Sequence, residues 1–234
     1  MEQWIKLNAT DLQVKAFYRI NPKYGAARAD YFRYLLLYHV GGIYLDIKST
    51  CLTRFENIIR ENDEFLYSKW PIEENGKRKF GRHFKLLRSN LDEIQQWFII
   101  SKPKSPLLSK VIDEVTANLV REKSNGIRNF GREGVLETTG PIVYTLALAK
   151  VLPFYRAREI SSVEEGFIYK ISGTENIILQ SPRLHYSQLM DPIVEIRGSH
   201  FLHSANMNRL FWTRKYFLSN ILNFQRLFQS KPNL

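Results

Sequence analysis

Two pairs of charged residues carry most of the chemical potential of this sequence. Asp30 and Arg33 stand three apart in "AARADYFRYLLLYHV", and Asp46 and Lys48 stand two apart in "HVGGIYLDIKS". On a helix, an i, i+3 pair projects from one face. A carboxylate accepts and a guanidinium donates, in geometries that suit sugar hydroxyls and phosphates. An exposed pair of this kind adds at most ~1 kcal/mol of stability, and a buried one costs several kcal/mol per ion unless further hydrogen bonds satisfy it. A helix crowded with Phe32, Leu35, Leu36, Leu37 and Tyr38 has little reason to bury an ion pair for stability alone. A ligand that uses both charges would be such a reason, against the plainer reading of an intrahelical ion pair. Asp46 and Lys48, alternate residues of a strand, are expected on one face. In isolation they read equally as a solvated strand-edge pair.

The elements around these residues follow from local signals. Thr10 caps a short helix over 10–20, and "NPKYG" makes a turn before a helix over 26–39 that stops at Gly41, a residue at home in the left-handed conformation. A short buried strand is expected over 43–48. "EFLYSKW" (64–70) and "IQQWFIISK" (94–102) read as strands, with 57–64 a helix or loop between the first two. The polar, basic segment 71–90 reads as an exposed loop or hairpin. Ser105 and Pro106 open a helix with a stripe of Leu108, Ile112, Val115 and Leu119. A loop through Thr138 and Gly140 leads into an apolar helix from Pro141, and "GFIYKISG" and "NIILQ" are strand candidates. Strands alternating with helices predict an α/β layer architecture with a mostly parallel central sheet. With no break in composition, the chain reads as a single domain over 1–234, its core over about 10–205 and a basic amphipathic helical tail over 206–234.

The bulk composition narrows the class of protein. The chain has 234 residues, 44% of them hydrophobic, and 34 Lys+Arg against 23 Asp+Glu give a net charge of +11, which favours anionic partners. A single cysteine, Cys51, rules out an internal disulfide framework. The N-terminal stretch has no basic region followed by an apolar one, and no apolar run approaches the ~18 residues that would span a bilayer. These features favour a cytoplasmic protein, with peripheral membrane contact through Trp212, Phe217, Phe224 and Phe228 of the tail as an option. The interleaved "KRKFGRHFKLLR" raises nucleic-acid binding as a remote alternative, but it matches no nucleic-acid module, and no specific nucleic-acid partner is expected.

Taken together, "ARADYFRYLLLYHVGGIYLDIKS" resembles the sugar-binding signature of glycosyltransferase family 32 and the related toxin-type glucosyltransferases. That signature runs as a D-x-x-R helix, then GG-x-Y, then D-x-D. Asp30, Arg33, Gly41, Gly42, Tyr44 and Asp46 match it in order and spacing, and "QQWFIISKPKSPLLSKVIDEV" and "ETTGPIVYTLAL" echo later parts of the family. The resemblance implies a GT-A-like fold and transfer of a hexose, with retention, from a UDP- or GDP-linked sugar to a glycan or glycolipid acceptor. It implies Asp30, Arg33 and Tyr44 at the donor sugar, with Gly140 approaching through the T-G-P loop. A helix-initiating turn is an equal reading of Gly140. Asp46 and Lys48 are the implied catalytic residues, with Asp46 at the ribose and the metal shell.

Two features depart from the pattern. Lys48 occupies the place of the second D-x-D carboxylate, the usual ligand of Mn²⁺ or Mg²⁺, and an ammonium cannot coordinate a cation. Lys48 is therefore expected either to weaken or replace the metal by pairing with the diphosphate, or to mark an inactive, donor-binding relative. A metal retained through Asp46 would need a distal ligand, for which His203 is the candidate and His200 its rival. The family usually begins with strands that hold the nucleotide base, and Met1 falls after them, so these strands are expected to be missing.

Overall fold

A computed structural model describes residues 1–73, 76, 78, 80–121, 130–169 and 186–194. The chain divides into units Met1–Glu195 and Ile196–Leu234, and all described residues belong to the first. "NIILQ", His200, His203 and the basic tail lie outside the described residues.

The N-terminal half is helical. Helix α1 (Glu2–Asn8) precedes α2 (Asp11–Arg19), which is fixed by a capping box. Thr10 Oγ1 accepts from the Gln13 amide, and Gln13 Oε1 accepts from the Thr10 amide. The long α3 (Gly25–Val40) follows the NPKYG turn and ends at Gly41, whose φ of 66° and ψ of −163° suit glycine alone. A Cβ on Gly41 would lie 2.6 Å from Pro103 Cδ and 3.0 Å from the Ser101 carbonyl. The chain therefore leaves α3 against the end of a neighbouring strand, and this close approach launches β1 (Gly42–Leu45).

Strand β1 stops earlier than the apolar run implies. After Leu45 the chain turns, and the Asp46 carbonyl accepts from both the amide and the hydroxyl of Ser49 before β2 (Ser49–Cys51) begins. Asp46 and Lys48 thus sit on a turn and not along one strand face. A four-residue helix α4 (Phe55–Ile58) leads to β3 (Phe65–Tyr67). The segment expected as an exposed loop contains α5 (Phe84–Arg88), whose Leu86 is fully buried beside Leu136 and Ile142. Strand β4 (Phe98–Ser101) then leads into α6 (Pro106–Val120), with Pro106 at its first turn. Helices α7 (Gly131–Thr138) and α8 (Pro141–Ala149) follow, so Thr138 closes a helix where a loop was expected. The short strands β5 (Arg158–Glu159) and β6 (Phe167–Tyr169) complete the described strands.

The main sheet has the order β1-β4-β3-β5. β4 runs antiparallel to both β1 and β3, and only β3 and β5 pair in parallel. The expectation of a mostly parallel sheet is therefore corrected to a mixed one. Three of the four strands share a direction, but β4 is inserted between two of them. Parallel neighbours are usually joined by a crossover helix. The chain from β1 to β3 holds only a turn, β2 and α4, and β4 takes the place between them. β2 pairs antiparallel with β6 in a separate two-stranded ribbon.

β4 is buried on both faces, as its run FIIS requires. Ile99 joins a helical layer built on Phe17, Tyr24, Tyr31, Tyr34, Leu35, Val111 and Tyr144. Phe98 and Ile100 join Ile58, Leu66, Trp97 and Phe167 on the other side. Register follows the same alternation: Tyr44 opposes Ile99 and Leu45 opposes Phe98. Tyr44 is thereby carried to the side of α3.

Gly41→Ala is expected to cost about 2–4 kcal/mol, from backbone strain and a clash with Pro103 together. Gly42 also has a positive φ, of 101°, but nothing lies within 4 Å of its would-be Cβ. Gly42→Ala should cost only the conformational strain of about 1–2 kcal/mol. Thermal unfolding of the two variants checks this order; equal midpoints would remove Pro103 packing as the reason for Gly41.

Candidate active site

Asp30 and Arg33 lie on the turns of α3 that face β1, and both are buried, at 4% and 6% exposure. Arg33 Nη2 forms an ion pair with Asp30 Oδ1 at 2.8 Å, and Nη1 donates to Asp46 Oδ1 at 2.9 Å and to the Gln96 carbonyl at 3.1 Å. One guanidinium therefore spans both carboxylates. Its plane lies 4.5 Å from the Tyr44 ring centroid, and the Tyr44 hydroxyl donates to Asp46 Oδ1 at 2.8 Å. The Asp46 amide donates to the Trp97 carbonyl at 2.7 Å, which extends the β1–β4 ladder by one bond and holds the turn in place.

The other Asp30 oxygen accepts from Thr139 Oγ1 at 3.0 Å, and Gln96 Nε2 reaches Asp30 Oδ1 at 3.5 Å. Tyr34 bonds Gln96 Oε1 and sits 2.9 Å from the Thr139 carbonyl, stacked on Tyr144 with ring centroids 5.5 Å apart. Burial pushes the Asp30 carboxyl up to about 6, against the opposing pull of Arg33 and Thr139. Burial alone would lower Arg33, but Asp30 and Asp46 outweigh it and hold the guanidinium firmly charged. The Tyr44 hydroxyl is raised, by burial first and then by Asp46, so it stays a neutral donor.

Asp30, Arg33, Tyr44, Asp46 and Gln96 line a cleft of about 970 Å³, large enough for a ligand of nucleotide-sugar size. Asp30, Arg33, Tyr44, Asp46 and Lys48, all singled out in the sequence, line this one cavity. Lys48 is exposed at its edge. Gly140 is buried and does not line the cleft: a Cβ there would meet Leu136 Cα at 2.8 Å, so its place is explained by the close packing of the α7–α8 turn.

Reading the sequence missed Gln96, Trp97, His83 and Glu93, and it placed Thr139 within the T-G-P loop without a role of its own. Gln96 and Thr139 lock the α3 pair from distant segments. Trp97 is 6% exposed, lines the cleft and has an indole N–H without an acceptor. "QQW" within an apolar strand was the one available signal, since amides in such a run must find partners.

Among the described residues no group of three or more His, Cys, Asp or Glu side chains is placed to hold a metal ion. Both hydrogen bonds to Asp46 fall on one oxygen, and Lys48 adds no ligand. The described residues thus do not fit a divalent site built by protein alone. They also contain no helix long and apolar enough to cross a membrane.

Residues 3–65 match the family described as "Glycosyltransferase sugar-binding region containing DXD motif". The chain is 32% identical over 139 residues to the initiation-specific alpha-1,6-mannosyltransferase of Candida albicans, an alignment that covers 55% of this chain and 35% of that protein. It is 27% identical over 150 residues to the enzyme of the same name from Schizosaccharomyces pombe, covering 60% and 36%. The chain thus matches about a third of the length of these relatives. Among solved structures it is similar to the PaToxG glycosyltransferase, at 21% identity and a TM-score of 0.37 over 55% of this chain and 36% of that one, a likeness too partial to argue from. The segment that holds Asp30, Arg33, Tyr44 and Asp46 lies within the stretch that matches this sugar-binding region, with Lys48 two residues after its first aspartate.

Proposed function

We propose that the chain is a glycosyltransferase that moves a hexose from a nucleoside diphosphate to a glycan or glycolipid acceptor, with retention at the anomeric carbon and within a GT-A-like fold. The relatives' names favour mannose as that hexose. The observation that carries the reading is the Asp30–Arg33–Asp46 chain of ion pairs on the wall of an open cleft. A buried ionic triad is a poor device for stability. It is a good one for holding carboxylate oxygens and guanidinium N–H groups ready for a polyhydroxylated ligand.

In this reading Asp30 accepts from hydroxyls of the donor sugar while Arg33 fixes its orientation. Asp46, set by Tyr44 and Arg33, addresses the ribose. Lys48 sits two residues on at the cleft edge and neutralises charge on the departing diphosphate. The unpartnered Trp97 indole N–H supplies one more donor for an oxygen of the ligand. Fixed positive charge at the leaving group acts where negative charge develops, which is where electrostatic stabilisation is most effective. A donor-binding protein without turnover is the second reading, favoured by the lysine at a position where the family places a carboxylate.

A panel of UDP- and GDP-linked sugars, followed by calorimetry and by donor hydrolysis or transfer, tests the proposal; absence of binding to every donor would remove it, and binding without turnover would support the second reading. Asp46→Asn keeps shape but removes the charge that Arg33 and Tyr44 address, and should lower turnover on the order of 100-fold. Asp30→Asn is the cleaner probe of the sugar end than Asp30→Ala, because truncation would leave Thr139 and Gln96 without their buried acceptor.

Lys48→Asp restores the second carboxylate. If Lys48 stands in for metal charge, the variant becomes dependent on Mn²⁺ and sensitive to EDTA, while the parent chain is not. Equal EDTA response in both would refute the substitution of ammonium for metal.

The pH dependence follows from Asp30. Its folded value of about 6 lies above the ordinary 3.8, so the folded state holds the proton more tightly. Its contribution to stability is therefore fully present below the ordinary value and is lost as pH rises toward 6. Acceptance of sugar hydroxyls needs the ionised form, so donor affinity should rise through about pH 6 and level off above it. Calorimetric titrations from acid to neutral pH check this, and Asp30→Asn should abolish the inflection.

A further inference from the structure

The cleft contains a second constellation that the donor-side chemistry leaves unused. Glu93 is 5% exposed and lines the cavity. Its Oε1 accepts from the Trp70 indole N–H at 2.6 Å. Its Oε2 lies 2.7 Å from His83 Nε2, yet accepts no hydrogen bond of acceptable alignment. The Trp70 and Phe80 rings lie alongside, with centroids 5.1 Å apart and planes at 49°. Gly81, at φ +74°, brings this stretch hard against both: a Cβ would meet Trp70 Cδ1 at 2.5 Å and Glu93 Cβ at 2.8 Å.

We propose that Trp70, Phe80, His83 and Glu93 form the subsite for the pyranose ring of the acceptor. This rests on the glycosyltransferase reading above. A pyranose has an apolar face of C–H groups and a rim of hydroxyls. The Trp70 and Phe80 rings, inclined to one another at 49°, offer the first two apolar faces, and the Glu93 carboxylate offers the second a strong hydrogen bond. The same carboxylate repels a diphosphate, so this wall suits the neutral sugar of the acceptor and not the charged part of the donor. Lys48 and the Asp30–Arg33–Asp46 triad line the same cavity, so the two ligands would share one open cleft.

Saturation-transfer NMR with methyl α-D-mannopyranoside on the full chain, in the presence of GDP or UDP, tests the assignment. Glu93→Gln and His83→Gln should each weaken the glycoside about tenfold, the effect of one hydrogen bond to a charged group. Nucleoside diphosphate affinity, measured by calorimetry on the same samples, should stay within about twofold, because the lost bond belongs to the other ligand. Trp70→Leu should lose transfer to the sugar ring protons, and the two conservative variants remain informative if it does not fold. Glycoside binding unchanged in both Gln variants would overturn the subsite. So would weakened nucleotide with unchanged glycoside, which would assign the wall to the nucleobase. If the parent chain binds nucleotide but no glycoside, the subsite alone falls; if it binds neither, the transferase reading falls with it.

Discussion

The cleft depends on one constraint: a single buried guanidinium must satisfy two carboxylates from different elements. Arg33 reaches Asp30 from its own helix turn and Asp46 from the turn after β1. A charge held at 6% exposure is tolerable only when its donors are spent on strong acceptors. That condition fixes distances between α3 and β1 and reaches as far as the Gln96 carbonyl just before β4. Gly41 serves the same end, since its backbone conformation and close approach to Pro103 set where β1 begins. The helix, the strand and the turn are thus held in relative position by electrostatics as well as by packing.

The supporting shell shows how the pair is kept. Thr139 and Gln96 come from segments remote in sequence, and Tyr34 ties the two together against the Tyr144 ring. Each of these bonds removes a degree of freedom from Asp30. The shell also explains the raised carboxyl: few waters reach it, and its neutral partners compensate less than solvent would. Such a carboxyl is held above the ordinary carboxylate range by its burial.

Much of this was legible from residue types and spacing. Helix α3, its stop at Gly41 and the Thr10 cap follow from local rules, and the helix–glycine–strand order places Asp30, Arg33 and Asp46 near one another. Strand direction was not legible, because β4 enters the sheet between β1 and β3 through contacts that no local signal encodes. The strand expected through Lys48 ends at Leu45 for a related reason. Ile47 looks like a continuation of the apolar run, yet it stands 87% exposed once the Asp46 carbonyl turns to accept from Ser49. Gln96, Thr139 and Glu93 were invisible because a polar residue in an apolar stretch announces a need for partners without naming them. Segment 71–90, expected as an exposed loop or hairpin, does hold an antiparallel bridge between Ile72 and Arg78, but its basic composition hides Leu86, and Gly81 permits a packed bend.

The charge pattern of the cleft follows from the same geometry. Arg33 cancels one of its two carboxylates, so the triad carries a net charge of about −1 when Asp30 is ionised and about 0 when it is protonated. The remaining cations that line the space are Lys48, Arg82 and Arg132, with His83 beside Glu93 and Glu133 beside Arg132. Among the described residues, Lys48 and Arg82 are the two of these that form no ion pair with an acid lining the cleft. A ligand with a neutral, hydroxyl-rich part and a strongly anionic part meets both needs at once: its hydroxyls satisfy the carboxylates, and its phosphates answer the cations. A purely anionic ligand such as nucleic acid would press phosphates against Asp46 and Glu93, and a neutral glycan alone would leave Lys48 unanswered. The distribution of charge within the cleft, more than the net +11 of the chain, is therefore what the proposed nucleotide-sugar donor rests on.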